Sequence, residues 1–142
     1  MTILLALLLA AGPPAADLPL AATPDTGSYL VLVGSEATDE ITLIRFDASG
    51  GQVIRRHTVG LNPVEPDGPH GMGVSPDGSA YFVSTGHGLP FGELWKFSAD
   101  GKFEARTTLG LFPATLQVSP DGHWVYVVNA NFHGDMVPSS VS

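Results

Sequence analysis

The sequence contains no cysteine and few basic residues, and each shortage excludes a class of protein. Without cysteine the chain cannot form a disulfide framework, a Cys-ligated zinc site or a CxxCH haem attachment. Only 6 Lys and Arg stand against 14 Asp and Glu, which gives a formal net charge of −8 at pH 7. Nucleic-acid binding relies on Lys and Arg to neutralise phosphates, so the sequence predicts no nucleic-acid partner.

Long hydrophobic runs are also scarce. The apolar run 1–11 (MTILLALLLAA) is too short to cross a bilayer, but it has the length of the apolar segment of a signal peptide. We predict a signal peptide over 1–16, a Pro-rich linker over 17–27, a periplasmic or extracellular protein and no stable membrane span. No Lys or Arg precedes Arg45, so the usual positive start of a signal peptide is missing, and a buried first strand or helix is the alternative.

Glycine and proline are abundant, with 17 Gly and 12 Pro between short apolar runs, and hydrophobic residues make up 44% of the chain. Closely spaced turns of this kind favour short strands over long helices. The composition therefore predicts a globular, all-β chain.

An internal repeat organises these strands. The sequence Val-Ser-Pro-Asp-Gly at 74–78 recurs at 118–122, a shift of 44 residues, and an apolar run follows each copy. Pro-Asp-Gly is typical of a tight turn between two strands. The first unit contains three predicted strands, at 29–33, 40–46 and 52–59. The second unit contains four, at 71–75, 80–85, 93–98 and 103–109. The third unit contains two, at 116–119 and 124–128, and the sequence given stops as its next strand begins.

Four short strands in a repeat of this length are the signature of a propeller blade. We predict an all-β fold, a WD40-like β-propeller of four-stranded antiparallel blades. It is expected to be incomplete, with about two and a half blades where propellers have four or more. The predicted blades span 28–60, 69–110 and, for the start of the third, 114–142.

The third unit carries a family resemblance. Tyr126-Val127-Val128-Asn129 follows Ser-Pro-Asp-Gly and resembles the Tyr-Val-Thr-Asn signature of YVTN-repeat β-propellers. The strand endings at 57–60 (HTVG) and 107–110 (TTLG) are similar to the close of that repeat. The second unit departs from the signature with Phe-Val-Ser-Thr at 82–85 and the first with Val-Leu-Val-Gly at 31–34. The resemblance implies a secreted or envelope-associated repeat protein.

Three histidines are the candidate site residues. We label the four strands of each unit A to D in chain order. In a meander, successive connections alternate between the two ends of a sheet, so the B-C loops and the crossovers from strand D to the next strand A share one end, called the loop face below. His70, His87 and His133 all fall there, each followed by Gly. The same end also carries the acidic residues Glu93 and Asp135 and the insertion 61–68. Imidazole is the commonest metal ligand, so these residues are predicted as ligand-binding, and as metal ligands. The alternative is that they are solvated or bonded to backbone, and the cofactor stays unidentified.

Function stays open among three classes. The sequence favours a non-catalytic binding or interaction module that takes a protein or a small-molecule ligand on the loop face. The alternatives are a metal- or redox-associated propeller enzyme subunit and a lactonase-like hydrolase, since both classes include related propellers. Trp95 and Trp124 are predicted to pack between blades. Structural roles in the turns are assigned to Ser75 and to the turn carboxylates, which are Asp47, Asp77, Asp100 and Asp121.

Overall fold

A computed structural model describes residues 27–87, 90–132 and 138–142. Within these residues the chain forms ten β-strands and one 3-10 helix at Glu36–Thr38, so the prediction of an all-β fold is confirmed. The strands are β1 (Tyr29–Ser35), β2 (Glu40–Asp47), β3 (Gly50–Thr58), β4 (Pro69–Val74), β5 (Ala80–Thr85), β6 (Glu93–Ser98), β7 (Phe103–Thr108), β8 (Pro113–Val118), β9 (Val125–Asn129) and β10 (Ser140–Val141).

The predicted signal peptide lies outside the described residues, as does the predicted linker apart from its last residue, and both stay predictions. In the part of the chain that the structure describes, no helix is long and apolar enough to cross a membrane.

The strands form three antiparallel sheets in which sequence neighbours pair. The first sheet has the order β1-β2-β3, the second sheet β4-β5-β6-β7 and the third sheet β8-β9-β10. The second sheet is the complete four-stranded meander predicted from the repeat. The other two supply strands B, C and D of the first unit and strands A, B and part of C of the third.

The strands differ from their predicted bounds by at most two residues, except that β8 begins three residues early. β5 and β6 occupy the predicted positions, whereas β4 begins at Pro69 and β8 at Pro113. Both prolines pair with the neighbouring strand after a shift in register, Pro69 with Thr85 and Pro113 with Asn129. Proline lacks the N–H group that a strand interior needs, but the first residue of a strand tolerates it. The structure thus places His70 inside β4 and not in the crossover that precedes it.

The repeated Pro-Asp-Gly sequences form the predicted tight turns. Gly78 has a φ of +69° and its N–H donates to the Ser75 carbonyl at 2.8 Å. Gly122 has a φ of +73° and donates to the Ser119 carbonyl at 2.9 Å. Glycine adopts this left-handed conformation without the steric cost that a Cβ atom brings.

The second and third sheets pack closely because β4 has glycine where β8 approaches it. A Cβ atom on Gly73 would lie 2.5 Å from Leu116 Cδ1, and one on Gly71 would lie 3.0 Å from the Leu116 nitrogen. Ser84 joins the same region, since its hydroxyl accepts the Gly71 N–H at 2.9 Å and donates to the Pro113 carbonyl at 2.8 Å. The two sheets therefore meet nearly backbone to backbone.

The main hydrophobic core lies between the first and second sheets. Its buried members come from β2, β5 and β6 and from the residue after β3, and they are Ile41, Val59, Tyr81, Val83, Trp95 and Phe97. Burying a side chain of this size contributes about 1.5–3 kcal/mol relative to leaving it exposed. Successive side chains of a strand point to opposite faces, so one face of β6 carries the buried residues Glu93, Trp95 and Phe97. Trp95 and Phe97 are the two that belong to the core.

His57 on β3 belongs to this interface and not to the loop face. Its Nε2 atom lies 2.5 Å from the Tyr81 hydroxyl, and its ring centroid lies 4.4 Å from that of Phe97. Burial lowers the pKa of His57, and burial also raises the pKa of Tyr81 to about 12. The neutral imidazole donates a hydrogen bond from Nδ1 to the Thr58 carbonyl, so its Nε2 atom accepts a hydrogen bond from the Tyr81 hydroxyl.

The prediction that Trp124 packs between blades is wrong for the described residues, because its side chain is 64% exposed. Trp124 precedes β9 and lies on the same face as Tyr126 and Val128, which are also exposed. Val127 and Asn129 point to the opposite face and are buried. The third sheet thus buries only the face that meets the second sheet, whereas Trp95 is buried as predicted.

The two tryptophans give a matched test of this packing. We expect Trp95→Ala to lower the free energy of unfolding by about 3–5 kcal/mol, because the ring is buried beside Phe97 and Phe103. Trp124→Ala should change it by less than about 0.5 kcal/mol. Urea denaturation followed by circular dichroism measures both. Equal losses in the two variants would contradict the assigned packing.

Candidate functional site

Three connections of the chain meet at the loop face. They are the turn that follows β1, the crossover 59–68 between β3 and β4, and the start of the loop after β5. Their proximity is direct, because Gly68 in the crossover lies against both Glu36 and His87. The first two sheets are therefore joined at this end by loop contacts as well as by their core.

Two imidazoles and one carboxylate converge where these connections meet. His70 Nε2 and His87 Nε2 are 2.8 Å apart, and Glu36 Oε1 lies 2.9 Å from His87 Nε2 and 3.5 Å from His70 Nε2. All three donor atoms lie within 4.8 Å of one another. We call Glu36, His70 and His87 the loop-face cluster.

The Phe112 ring covers one side of the loop-face cluster, and the other side is exposed to solvent. The Phe112 ring centroid lies 4.6 Å from that of His70 and 5.1 Å from that of His87, and Phe112 itself is buried. Side-chain exposure rises from 19% for His70 through 31% for His87 to 56% for Glu36. The cluster therefore has a sheltered side at His70 and a solvent side at Glu36.

Asp39 holds the crossover in place. Its carboxylate accepts the backbone N–H groups of Asp67 at 3.0 Å and Gly68 at 2.8 Å, and its own φ of +51° is left-handed. The Asp67 carbonyl then accepts the N–H groups of Gly86 at 2.9 Å and His87 at 2.6 Å. A continuous set of hydrogen bonds thus runs from the first sheet to the backbone of His87.

Asp67 supports the crossover from inside. Its side chain is 1% exposed, and Oδ2 accepts the N–H groups of Leu61 and Asn62. This carboxylate closes the inserted segment onto itself, as Asp side chains do in turns. Asp67 is therefore a structural residue of the insertion.

Gly68 leaves the space that the His87 ring occupies. A Cβ atom at this position would lie 2.5 Å from His87 Cδ2, and the residue has a φ of +65°. Both observations require glycine, one through contact and one through backbone conformation. The insertion is thus fitted to the orientation of His87.

A hollow of about 490 Å³ opens beside the cluster, lined by Glu36, Ala37, Glu65, Pro66 and His87. The structure describes all six Lys and Arg residues of the chain, and none of them lines this hollow. Two carboxylates with no basic residue among the lining make a negative local potential in a chain that is already acidic. The hollow therefore suits a positively charged ligand better than a phosphate.

Only some of the site residues predicted from the sequence come together in the structure. It brings His70 and His87 together, while His133 and Asp135 lie outside the described residues, so a role for His133 stays a prediction. Glu93 lies at the start of β6 and is engaged by Thr108 Oγ1 at 2.9 Å and Arg106 at 3.7 Å. Its carboxylate belongs to the second sheet and not to the loop-face cluster.

Sequence reasoning missed Glu36 and Asp39. Both lie in or next to the 3-10 helix between β1 and β2, which is the B-C loop of the first unit. The topology that placed His87 at the loop face places this loop there too, so the signal was available. Neither residue is followed by glycine, as His87 is, and neither belongs to a metal-ligand motif, so only the equivalence of the two loops points to them.

Residues on the opposite end have the structural roles assigned to them. The Asp77 carboxylate accepts hydrogen bonds from Ser75 and Ser79, which lower the pKa of Asp77 to about 2. The Ser75 hydroxyl also accepts the Ala80 N–H at 2.9 Å. Ser75 is thus committed to the turn. Hydrogen bonds from serine likewise lower the pKa values of the other turn carboxylates, which are Asp47, Asp100 and Asp121.

Comparison with solved structures identifies the fold. The chain is similar to the crystal structure of a Bacteroides fragilis protein assigned as a 6-phosphogluconolactonase, with a TM-score of 0.55 and 18% sequence identity. The match covers 74% of this chain and 29% of that chain, so this chain spans less than a third of the neighbour's length.

No family model matches the chain, and neither does any curated protein. The neighbour has a propeller-like fold, which confirms the prediction of β-propeller architecture. The YVTN-type repeat stays a prediction, because no family model supports it.

Asp39 gives a test of how the cluster is positioned. We expect Asp39→Ala to lower the free energy of unfolding by at least about 1 kcal/mol, because two partly buried N–H groups lose their acceptor. Hydrogen exchange at the Asp67 and Gly68 amides, measured by NMR, should quicken. Asp39→Asn is the control, since it keeps one acceptor oxygen and tolerates the left-handed backbone. Unchanged exchange at both amides in Asp39→Ala would disprove this role.

Proposed function

We propose that this chain is an exported β-propeller module that binds a positively charged small molecule in the hollow at the loop face. The observation that carries the proposal is the lining of that hollow, where Glu36 and Glu65 stand beside His87 with no Lys or Arg. Carboxylates on low-dielectric walls concentrate cations from solution. Export is proposed from the sequence pattern of 1–16 alone.

The rigidity of the surrounding structure supports a binding role. The carboxylates of Asp39 and Asp67 accept backbone hydrogen bonds that fix the crossover, and the Asp67 carbonyl accepts the N–H of His87 and fixes its backbone. Loops held by a rigid scaffold are where binding residues concentrate. A fixed hollow also loses less conformational entropy when a ligand enters it than a mobile one would.

An NMR titration with three defined probes tests this proposal. Spermidine should shift the amide signals of Glu36, Ala37, Glu65 and His87, whereas 6-phosphogluconate should not, and neutral glucono-δ-lactone should be intermediate. Glu65→Gln should weaken spermidine binding by about 2- to 5-fold, the range expected for one exposed charge pair. Glu104→Gln is the matched control, because it removes the same charge from β7, where Glu104 lies 3.0 Å from Lys96.

Two outcomes would contradict the binding proposal. The first is that 6-phosphogluconate shifts the same amides with an affinity equal to that of spermidine. The second is that the spermidine shifts map to the turns at Asp77 and Asp121, at the opposite end of the sheets.

Hydrolysis of a neutral lactone is a second candidate function. It is favoured by the likeness in fold to a protein assigned as a lactonase and by the imidazole-carboxylate contact of His87 with Glu36. An imidazole lone pair can remove a proton from water as the oxygen attacks the lactone carbonyl, and the proton then returns to the ring oxygen that leaves. The carboxylate would stabilise the imidazolium that forms in between.

A lactone assay decides this candidate. Hydrolysis of glucono-δ-lactone should exceed the buffer rate and should fall by about 100-fold or more in His87→Gln, the lower end of a general-base contribution. His123→Gln is the control, because His123 lies at a turn on the opposite end beside Asp121. A rate equal to that of buffer in the unaltered protein removes lactone hydrolysis from consideration.

A further inference from the structure

The spacing of the loop-face cluster matches the spacing of ligands around one metal ion. For tetrahedral zinc with ligand bonds of 2.0–2.1 Å, two ligand atoms are about 3.3 Å apart. The three separations in the cluster are 2.8, 2.9 and 3.5 Å. Separations of this size leave a point at the length of a zinc–ligand bond, about 2.0–2.1 Å, from all three atoms.

Proton counting also favours a cation at this point. An imidazole Nε2 carries either one proton or one lone pair, so His87 Nε2 has one hydrogen at most to share between His70 Nε2 and Glu36 Oε1. A divalent ion instead accepts an electron pair from each of the three atoms at once. The convergence of three electron-pair donors on one point is therefore better matched by a metal ion than by protons.

We propose that Glu36, His70 and His87 bind one divalent transition-metal ion of the zinc class and thereby join the first sheet to the second. The inference deepens the proposed function, since it rests on the same loop face and the same preference for cations. It differs in its residues, because His70 is a ligand here but does not line the hollow, whereas Glu65 lines the hollow but is not a ligand.

The donor set selects the kind of ion. Two imidazole nitrogens and one carboxylate oxygen suit zinc, copper and similar ions, whereas Mg²⁺ and Ca²⁺ prefer oxygen donors throughout. Three protein ligands with a solvent-facing fourth position are typical of zinc sites that bind an exchangeable ligand. The exposure of Glu36 and the adjacent hollow put that fourth position on the side of the solvent.

The site would also stabilise the contact between the two sheets. Glu36 belongs to the turn of the first sheet, while His70 lies on β4 and His87 follows β5 of the second. An ion that binds only when these three residues are assembled stabilises the folded chain by mass action. Zinc should therefore raise the melting temperature, and removal of any one ligand should abolish that rise.

Calorimetric titration of the full chain with Zn²⁺ tests the proposal. We expect one ion per chain. Zinc affinity should fall by more than about 100-fold in Glu36→Gln, His70→Ala and His87→Ala, because even mutation of a residue that only supports a ligand lowers metal affinity by about 10- to 100-fold. Co²⁺ should give the visible bands of tetrahedral coordination. His123→Ala is the matched control, since its imidazole has only the single carboxylate of Asp121, 3.5 Å away.

The variants separate failure of this inference from failure of the proposed function. Zinc binding that persists in Glu36→Gln, or that disappears in His123→Ala, would overturn the metal site. Glu36 is largely exposed, so Glu36→Gln gives a folded protein that decides the matter even if His70→Ala does not fold. Glu65→Gln should weaken spermidine binding and leave zinc binding unchanged. His70→Ala should abolish zinc binding and leave spermidine binding unchanged.

Discussion

The loop face depends on two hydrogen bonds that the Asp39 carboxylate accepts from the backbone N–H groups of Asp67 and Gly68. They attach the crossover to the first sheet, and the Asp67 carbonyl passes that constraint on to the Gly86 and His87 backbone. Gly68 then approaches His87 so closely that no side chain fits between them. The orientation of one imidazole is thus fixed by a carboxylate nearly fifty residues earlier in the chain.

Charge gives this end of the molecule its chemical character. The chain's few basic residues are placed elsewhere, for example Arg56 beside Glu40, Lys96 beside Glu104 and Arg106 over the Trp95 ring. The hollow at the loop face is lined by two carboxylates, Glu36 and Glu65, and by no Lys or Arg. A propeller of the same fold that binds phosphorylated sugars would need basic residues in such a hollow. Proteins that share this fold can therefore bind different ligands.

The strands and turns could be predicted because their signals are local. Pro-Asp-Gly at 76–78 predicts a turn from three residues, and the apolar run of β5 and the alternation along β6 each predict a strand from six. Glu36 has no such local signal, because its partner His87 is 51 residues away and no motif joins them. Only the order of strands in the repeat places both of their loops at the same end of the sheets. Trp124 was predicted wrongly for a related reason, since an aromatic on a strand indicates burial only when a second sheet covers that face.

Repetition explains how an asymmetric site forms on a regular scaffold. The B-C loops of successive units end up side by side at one end of the sheets, yet the first supplies Glu36 and the second supplies His87. Strand residues cannot vary so freely, because β4 and β8 approach at glycine and β6 fills the core. Exposed side chains of the loops, such as Glu36, carry no such packing constraint. Equivalent positions can therefore hold a carboxylate in one unit and an imidazole in the next, and only their juxtaposition creates a set of donors that no single unit contains.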